Sequence, residues 1–397
     1  MRNSHCLAIG SLSVILLLGT NLRPSTADES PVLLEAKHPG DGDIPFVSIV
    51  IGGKTYLFAV NTGATMTSLD ESFRGSLGGK VYSQKVRTSH DSVVDVDAFH
   101  RPEIPFTKGI RIEESFVLCR DFSGIREAFG ADVRGILGMD ILRHCVIRLD
   151  PDAQRIQLFR TVASDDGAKI LLGEGSQKIP TVFLKLPGGF IRQFFVDTGS
   201  NTDLSVDKNT FERLVREKAI TALRENWSAD LTGTLRKKRG GILTEMVIGD
   251  EFRVRPYVNE SEMNLVGGEF LQRFVVTLDF AKHEMSLRKS KNFEVIGRRN
   301  LSGLAIIRKD ELVKVKNVDP DCPAKKAGIE EGDVISRFNG QPTETQRLHS
   351  MREALSVPSA SVKMHLLRNG RSIEVVVKLP EQDEISLRTP KTSGSPN

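Results

Sequence analysis

The feature that most constrains this chain is a short segment that occurs twice. In Gln193 to Ser205 (QFFVDTGSNTDLS), an apolar run leads into the turn Asp197-Thr198-Gly199-Ser200. In Tyr56 to Leu69 (YLFAVNTGATMTSL), a similar run leads into Asn61-Thr62-Gly63-Ala64. This pattern is typical of a buried strand that ends in a tight turn, and glycine allows the backbone angles such a turn needs. Each copy therefore places a polar side chain, Asn61 or Asp197, at a strand end.

A second pair of matching segments lies downstream of the two turns. Gly135 to Asp150 (GILGMDILRHCVIRLD) matches Leu265 to Asp279 (LVGGEFLQRFVVTLD). Because both parts of the pattern recur in the same order, we predict two duplicated β-lobes with a cleft between them. Their expected bounds are residues 45–160 and 179–288, joined by a Gly- and Ser-rich linker.

The Asp-Thr-Gly-Ser turn and its altered copy resemble the catalytic loops of the aspartic proteases of the retropepsin and pepsin type. The resemblance implies a mainly β, two-lobed β-barrel fold. It also implies that Asp197 is catalytic and that Asn61 occupies the position of the second carboxylate. Supporting roles follow by resemblance for Thr198, Gly199, Ser200, Thr62 and Gly63.

Asn61 departs from the chemistry of that family. Two carboxylates about 3 Å apart share one proton in the aspartic proteases, whereas an amide has no titratable proton. Three interpretations remain open. Asp197 of two chains could form the dyad in a homodimer, Asp70 or Asp203 could replace Asn61, or the chain could bind peptides without cutting them.

Residues 301–380 change in character and resemble the PDZ domain of secreted bacterial proteases. Val318 to Gly340 (VDPDCPAKKAGIEEGDVISRFNG) carries this second resemblance. It implies an α+β domain that captures protein C-termini, with the peptide added as a strand at the sheet edge. The residues expected to bind the peptide are Gly303, Leu304, Ala305, Ile306 and Leu348.

The N-terminal segment of the chain indicates export, and the C-terminal segment indicates a tail without a fold of its own. Residues 1–27 combine an early arginine with an apolar run too short to span a bilayer comfortably, which predicts a signal peptide. An uncleaved membrane anchor is the alternative. Residues 381–397 are polar and rich in Pro, Ser and Thr, which predicts a disordered tail.

Composition excludes several other functions. The formal net charge of +4 over 397 residues does not suggest a nucleic-acid partner. No His or Cys spacing fits a metal site, and no glycine loop fits a phosphate, so we expect no cofactor. A disulfide between Cys119 and Cys145 is an option in an oxidising compartment.

The favoured function is a secreted or periplasmic aspartic-type endopeptidase acting on peptides or proteins, and the alternative is a pseudoprotease or adaptor.

Overall fold

The computed structural model describes most of the chain after the predicted signal peptide. The described residues are 32–37, 44–87, 93–113, 115–162, 167–229, 235–294 and 300–381. The predicted signal peptide, and all but the first residue of the predicted tail, lie outside these ranges. None of the helices in the described part of the chain has the length and apolar character needed to span a lipid bilayer.

The described residues of the first lobe form ten strands and two short α-helices. The strands are β1 (Val32–Lys37), β2 (Phe46–Ile51), β3 (Lys54–Val60), β4 (Ser68–Asp70), β5 (Tyr82–Arg87), β6 (Val93–His100), β7 (Phe116–Arg120), β8 (Val133–Leu137), β9 (Val146–Asp150) and β10 (Arg155–Phe159). The helices are α1 (Ser123–Phe129) and α2 (Met139–Leu142).

The second lobe repeats this order with a longer hairpin. Its strands are β11 (Ala168–Leu171), β12 (Gly173–Glu174), β13 (Pro180–Lys185), β14 (Ile191–Asp197), β15 (Leu204–Asp207), β16 (Ile220–Ala229), β17 (Leu235–Leu243), β18 (Met246–Ile248), β19 (Phe252–Val254), β20 (Tyr257–Ser261), β21 (Leu265–Gly267), β22 (Phe274–Asp279) and β23 (Glu284–Lys289). Its helices are α3 (Lys208–Arg216) and α4 (Gly268–Leu271).

The C-terminal domain forms a separate sheet with two short helices. Its elements are β24 (Leu304–Lys309), β25 (Leu312–Val318), α5 (Pro323–Lys326), β26 (Val334–Phe338), β27 (Gln341–Pro342), α6 (Leu348–Ala354), β28 (Ser361–Arg368) and β29 (Arg371–Lys378). The strand order is β24-β25-β26-β28-β29, which leaves β24 at one edge. Its apolar core is distinct from that of the two lobes.

The strand pairings repeat between the lobes. In the first lobe β3 pairs parallel with β8, β8 antiparallel with β4, and β4 parallel with β7. In the second lobe β14, β21, β15 and β20 make the same three kinds of pairing. The internal repeat in the sequence therefore corresponds to a repeated strand arrangement.

A shared sheet joins the two lobes. Its strand order is β1-β10-β9-β22-β23-β11, and β9 of the first lobe pairs directly with β22 of the second. One large apolar core extends through both lobes beside this sheet. The two lobes are therefore bonded to each other through backbone as well as through side chains.

The prediction of a mainly β fold is confirmed, with two differences in detail. None of the sheets formed by the described residues closes into a barrel. The segment expected to be a linker contains β11 and β12, because β11 pairs with β23 and completes the shared sheet. The option of a Cys119–Cys145 disulfide is wrong, since both thiols are free and buried.

Candidate functional site

The turns that follow β3 and end β14 are bonded to each other across the lobes. The N–H of Thr62 donates to Thr198 Oγ1 (3.1 Å), and the N–H of Thr198 donates to Thr62 Oγ1 (3.1 Å). The Thr62 hydroxyl donates to the carbonyl of Val196 (2.6 Å), and the Thr198 hydroxyl donates to the carbonyl of Val60 (2.6 Å). Both threonines are fully buried. This symmetric set of bonds fixes the two turns together within one chain.

Asn61 and Asp197 take equivalent places in this arrangement. Asn61 Oδ1 accepts the N–H of Gly63 (2.7 Å), and Asp197 Oδ1 accepts the N–H of Gly199 (2.8 Å). A Cβ atom on Gly63 would overlap the Asp197 carboxyl group, and one on Gly199 would overlap the Asn61 amide. Each polar side chain thus lies against the glycine of the opposite turn. The structure brings the predicted dyad positions together, with an amide opposite a carboxyl group.

The surroundings of Asp197 change its acidity. Burial raises the pKa of Asp197 to about 6, while hydrogen bonds from the N–H groups of Gly199, Gly63 and Ser200 oppose this rise. The residue nevertheless keeps a partly exposed edge. Asp197 can therefore exchange a proton near neutral pH, whereas Asn61 can only donate or accept hydrogen bonds.

Ser200 acts differently from the expected support through its side chain. Its hydroxyl shares a hydrogen bond with Thr202 Oγ1 (2.9 Å). Its carbonyl accepts the N–H of Gly268, which lies in the downstream matching segment (2.6 Å). Ser200 thus influences the Asp197 carboxyl group through its backbone N–H, and its hydroxyl stabilises the turn itself.

The two other carboxylates considered for the dyad are already paired. Asp70 accepts from Arg126 (2.6 Å) and Arg134 (2.9 Å) and is 1% exposed. Asp203 accepts from Arg273 (2.7 Å) and is also buried. The interpretation in which Asp70 or Asp203 replaces Asn61 is therefore wrong.

The homodimer interpretation also fails in its original form. It required Asp197 of one chain to meet Asp197 of another. The threonine bonds instead hold the Asn61 turn of the same chain against the Asp197 turn. Asp197 therefore faces an amide within its own chain.

A hairpin from the first lobe packs next to the Asn61 turn. Strands β5 and β6 pair along their length, and the connection between them, residues 88–92, lies outside the described residues. Gln84 Nε2 of β5 lies 3.8 Å from the sulfur of Met66, which follows the turn. This hairpin is thus adjacent to the site, although its tip lies outside the described residues.

The C-terminal domain provides a second candidate site along β24. Gly303 has a φ of +70°, and a Cβ there would overlap Cys322, so only glycine suits this position. The N–H of Leu304 already donates to Ser302 Oγ (3.1 Å). Within the described residues no strand other than β25 pairs with β24. Two of its carbonyls accept side-chain donors, Leu304 from Asn300 Nδ2 (2.7 Å) and Ile306 from Arg352 Nη2 of α6 (2.7 Å).

The remaining predicted peptide-binding residues divide into two groups. Leu304, Ile306 and Leu348 are buried in the core of this domain, where they join Met351 and Leu355 of the α6 region. Ala305 is partly exposed on the edge strand. The buried leucines therefore stabilise the domain in addition to any contact with a peptide.

Sequence patterns did not indicate several residues that organise the site. Arg126, Arg134 and Arg273 are distant in sequence from the aspartates they bind, so no local motif reports them. Within the described part of the chain, no group of three His, Cys, Asp or Glu side chains is arranged to hold a metal ion.

Comparisons with known proteins identify one part of the chain. Residues 314–368 match the PDZ domain family, so the predicted PDZ domain is confirmed. The periplasmic pH-dependent serine endoprotease DegQ of Escherichia coli is 40% identical over 65 residues, which is 16% of this chain and 14% of that protein. A probable periplasmic serine endoprotease, DegP-like, of Chlamydia trachomatis is 35% identical over 77 residues, 18% of this chain and 15% of that protein.

These relatives correct the expected type of enzyme. They are named serine endoproteases, so the prediction of an aspartic-type endopeptidase is contradicted. The amide of Asn61 opposite Asp197 agrees with this correction, because it removes one of the two carboxylates such an enzyme uses. The chain spans only about one seventh of the length of each of these relatives.

Proposed function

We propose that this chain is a peptide-binding protein of the periplasm that captures protein C-termini with its PDZ domain. The observation that carries the proposal is the edge of β24 beside the Gly303 turn, which no other described strand pairs with. PDZ domains bind a peptide as an added strand and hold its terminal carboxylate at such a turn. Leu304, Met351 and Leu355 form apolar core beneath the groove between β24 and α6, and a ligand that ends in an apolar residue would reach them once their side chains shift.

In this proposal the two lobes form a binding scaffold that does not cut. Asp197, with a raised pKa, and the Asn61 amide can hold a water molecule or a peptide carbonyl by hydrogen bonds. They cannot pass a proton back and forth, because only one of them titrates. The resemblance of the paired turns to aspartic proteases supports a cleft for extended peptides, and the amide supports the loss of catalysis.

The names of the relatives support a place in periplasmic proteolysis. DegQ is a periplasmic endoprotease by its name, and the DegP-like relatives are named as probable ones. A partner of this kind would present or receive the protein substrates whose C-termini the PDZ domain holds. The predicted signal peptide, residues 1–27, supports the same compartment.

Fluorescence anisotropy with the full chain tests this proposal. The probes are labelled eight-residue peptides that end in Val or Asp, each with a free or an amidated C-terminus. We expect binding of the Val-ending peptide with a free carboxylate, and at least about tenfold weaker binding of its amide, since a charge-assisted contact is lost.

A pair of glycine variants controls the experiment. Gly303→Ala should abolish binding, because its Cβ would overlap Cys322 in the turn. Gly370→Ala places a similar strain, at a φ of +77°, in the distant β28–β29 turn with open space around it, and should keep binding. Equal binding of free and amidated peptides, or equal loss in both variants, would overturn the proposal.

A further inference from the structure

The first lobe contacts the PDZ domain through α1 and the glycine that ends it. Glu127 of α1 forms an ion pair with Lys309 of β24 at 3.0 Å. A Cβ on Gly130 would lie 3.3 Å from Arg308 Nε and 3.3 Å from Leu348 Cβ. The C-terminal end of α1 therefore lies against both β24 and α6, the two elements that border a PDZ peptide groove.

The contact is at one end of that groove. Gly303 and Leu304 are at the beginning of β24, whereas Arg308 and Lys309 are its last residues. A peptide paired with β24 and held by its carboxylate at Gly303 advances about 3.3 Å per residue. After about four residues it reaches the level of Arg308, where α1 already lies.

The surface of the PDZ domain that α1 contacts, here called the wall, contains Arg308, whose side chain is held by hydrogen bonds. Arg308 donates to the carbonyls of Thr343 (2.9 Å) and Gln346 (2.8 Å), so its side chain is tied to the segment before α6. Gly130 has a φ of +62° and fits against this wall without a side chain. A bound peptide would therefore have to move α1 rather than Arg308.

We propose that α1 of the first lobe and the upstream residues of a bound C-terminal peptide compete for the far half of the PDZ groove. The inference rests on the proposed capture of C-termini. The contacts of α1 are with Arg308, Lys309 and Leu348, away from Gly303, so a peptide of three residues at the carboxylate end binds with α1 in place. A longer peptide binds only when the PDZ domain separates from α1, and its apparent affinity is reduced by the fraction of molecules that are separated.

A charge swap tests the competition. The probe is the labelled eight-residue peptide that ends in Val, compared with a labelled peptide of its last three residues, on the full chain. Glu127→Lys should bind the long peptide about two- to fivefold more tightly, because an exposed ion pair contributes up to about 1 kcal/mol. The double variant Glu127→Lys/Lys309→Glu restores the pair and should return towards the native affinity. The three-residue peptide should bind the native chain, Glu127→Lys and the double variant with equal affinity.

A second measurement observes the contact itself. A carbodiimide joins a carboxylate to an amine that touch, so it should link Glu127 to Lys309 in the native chain. The long peptide with a free carboxylate should reduce this cross-link, and its amide should not.

The two measurements separate the inference from the proposed function. A cross-link that persists while the long peptide is bound, or that never forms, overturns the competition and leaves C-terminal capture intact. Equal binding of the eight-residue peptide to the native chain, Glu127→Lys and the double variant likewise overturns the competition and leaves C-terminal capture intact. If no peptide binds to the native chain or to Glu127→Lys, both the proposed function and the competition fail.

Discussion

Asp197 holds its proton to a higher pH than an ordinary carboxyl group because it is packed between two turns. Desolvation causes this rise, and the hydrogen bonds from three backbone N–H groups reduce it. In a paired dyad a second carboxylate would share the proton. Here Asn61 keeps the shape of that partner without its charge, so Asp197 titrates alone.

The raised pKa predicts how stability depends on pH. The folded state binds the Asp197 proton up to about pH 6, and the unfolded chain releases it near its ordinary value of 3.8. The ionised group therefore destabilises the fold increasingly as pH rises through this window, by at most about 3 kcal/mol. Asp197→Asn should remove this penalty and be more stable than the native chain at neutral pH, with no gain near pH 4. Denaturant unfolding at both pH values measures this, and an equal difference at both would contradict it.

The threonine bonds predict a second effect at single residues. Thr62→Val and Thr198→Val keep the shape of the side chain, but each leaves a buried carbonyl and a buried N–H without their partner. Each substitution should lower the free energy of unfolding by about 2 to 4 kcal/mol. Thr202→Val, at a partly buried hydroxyl in the same region, is the control and should cost clearly less. Thermal unfolding checks this, and a large difference between Thr62→Val and Thr198→Val would contradict the equivalence of the two turns.

Among the secondary-structure elements, the sequence predicted those whose pattern lies within one continuous segment. The apolar runs before Asn61 and Asp197 are β3 and β14, and the matching downstream segments contain β8 and β21, which pair with them. Strand β11 was missed, because its segment is rich in Gly, Ser and Asp and becomes a strand only by pairing with β23. Helix α3 ends at Arg216, because the chain must turn to begin β16 at Ile220.

For the candidate site, too, the sequence predicted some features and not others. The positions of Asn61, Asp197 and their glycines are visible as a repeated motif. The ion pairs of Asp70 and Asp203, and the contact of α1 with β24, join residues far apart in the sequence and carry no local signal. These contacts depend on how distant segments pack against each other, so only the structure shows them.

Asp70 connects three elements and predicts a loss of stability in acid. Burial alone would raise the pKa of Asp70, but hydrogen bonds from Ser72, Arg126 and Arg134 lower it to about 2. This stabilisation is present above about pH 4 and is lost as pH falls towards 2, with a size of about 2 kcal/mol. Asp70→Asn should destabilise the chain at neutral pH and flatten its acid unfolding.

An exposed ion pair serves as the control for Asp70. Asp97 also has a pKa lowered to about 2, mainly by Arg74, but this pair lies at the surface. Asp97→Asn should change stability less than Asp70→Asn, because solvent screens exposed charges. Acid titration followed by circular dichroism distinguishes them, and a smaller effect at Asp70 would contradict its assigned role.

At the scale of the molecule, two binding regions are linked through the first lobe. The shared sheet and the common core fix the two lobes to each other, and hence fix Asn61 against Asp197. Helix α1 belongs to that lobe through the Arg126–Asp70 pair and also touches β24 of the PDZ domain. Release of α1 by a bound C-terminus would therefore break the contact of the first lobe with β24 while leaving the Asn61–Asp197 site assembled.

In the proposed function the lobes hold peptides without cutting them, and a search for cleavage products tests this. The chain without the predicted signal peptide is incubated with a mixed library of unlabelled peptides from about pH 4 to about pH 7.5, the range across which Asp197 titrates. Mass spectrometry then compares the library with one treated with Asp197→Ala. We predict that every peptide is recovered intact with both proteins, while a subset is retained by the native chain. Cleavage products that appear with the native chain and vanish with Asp197→Ala would contradict the claim.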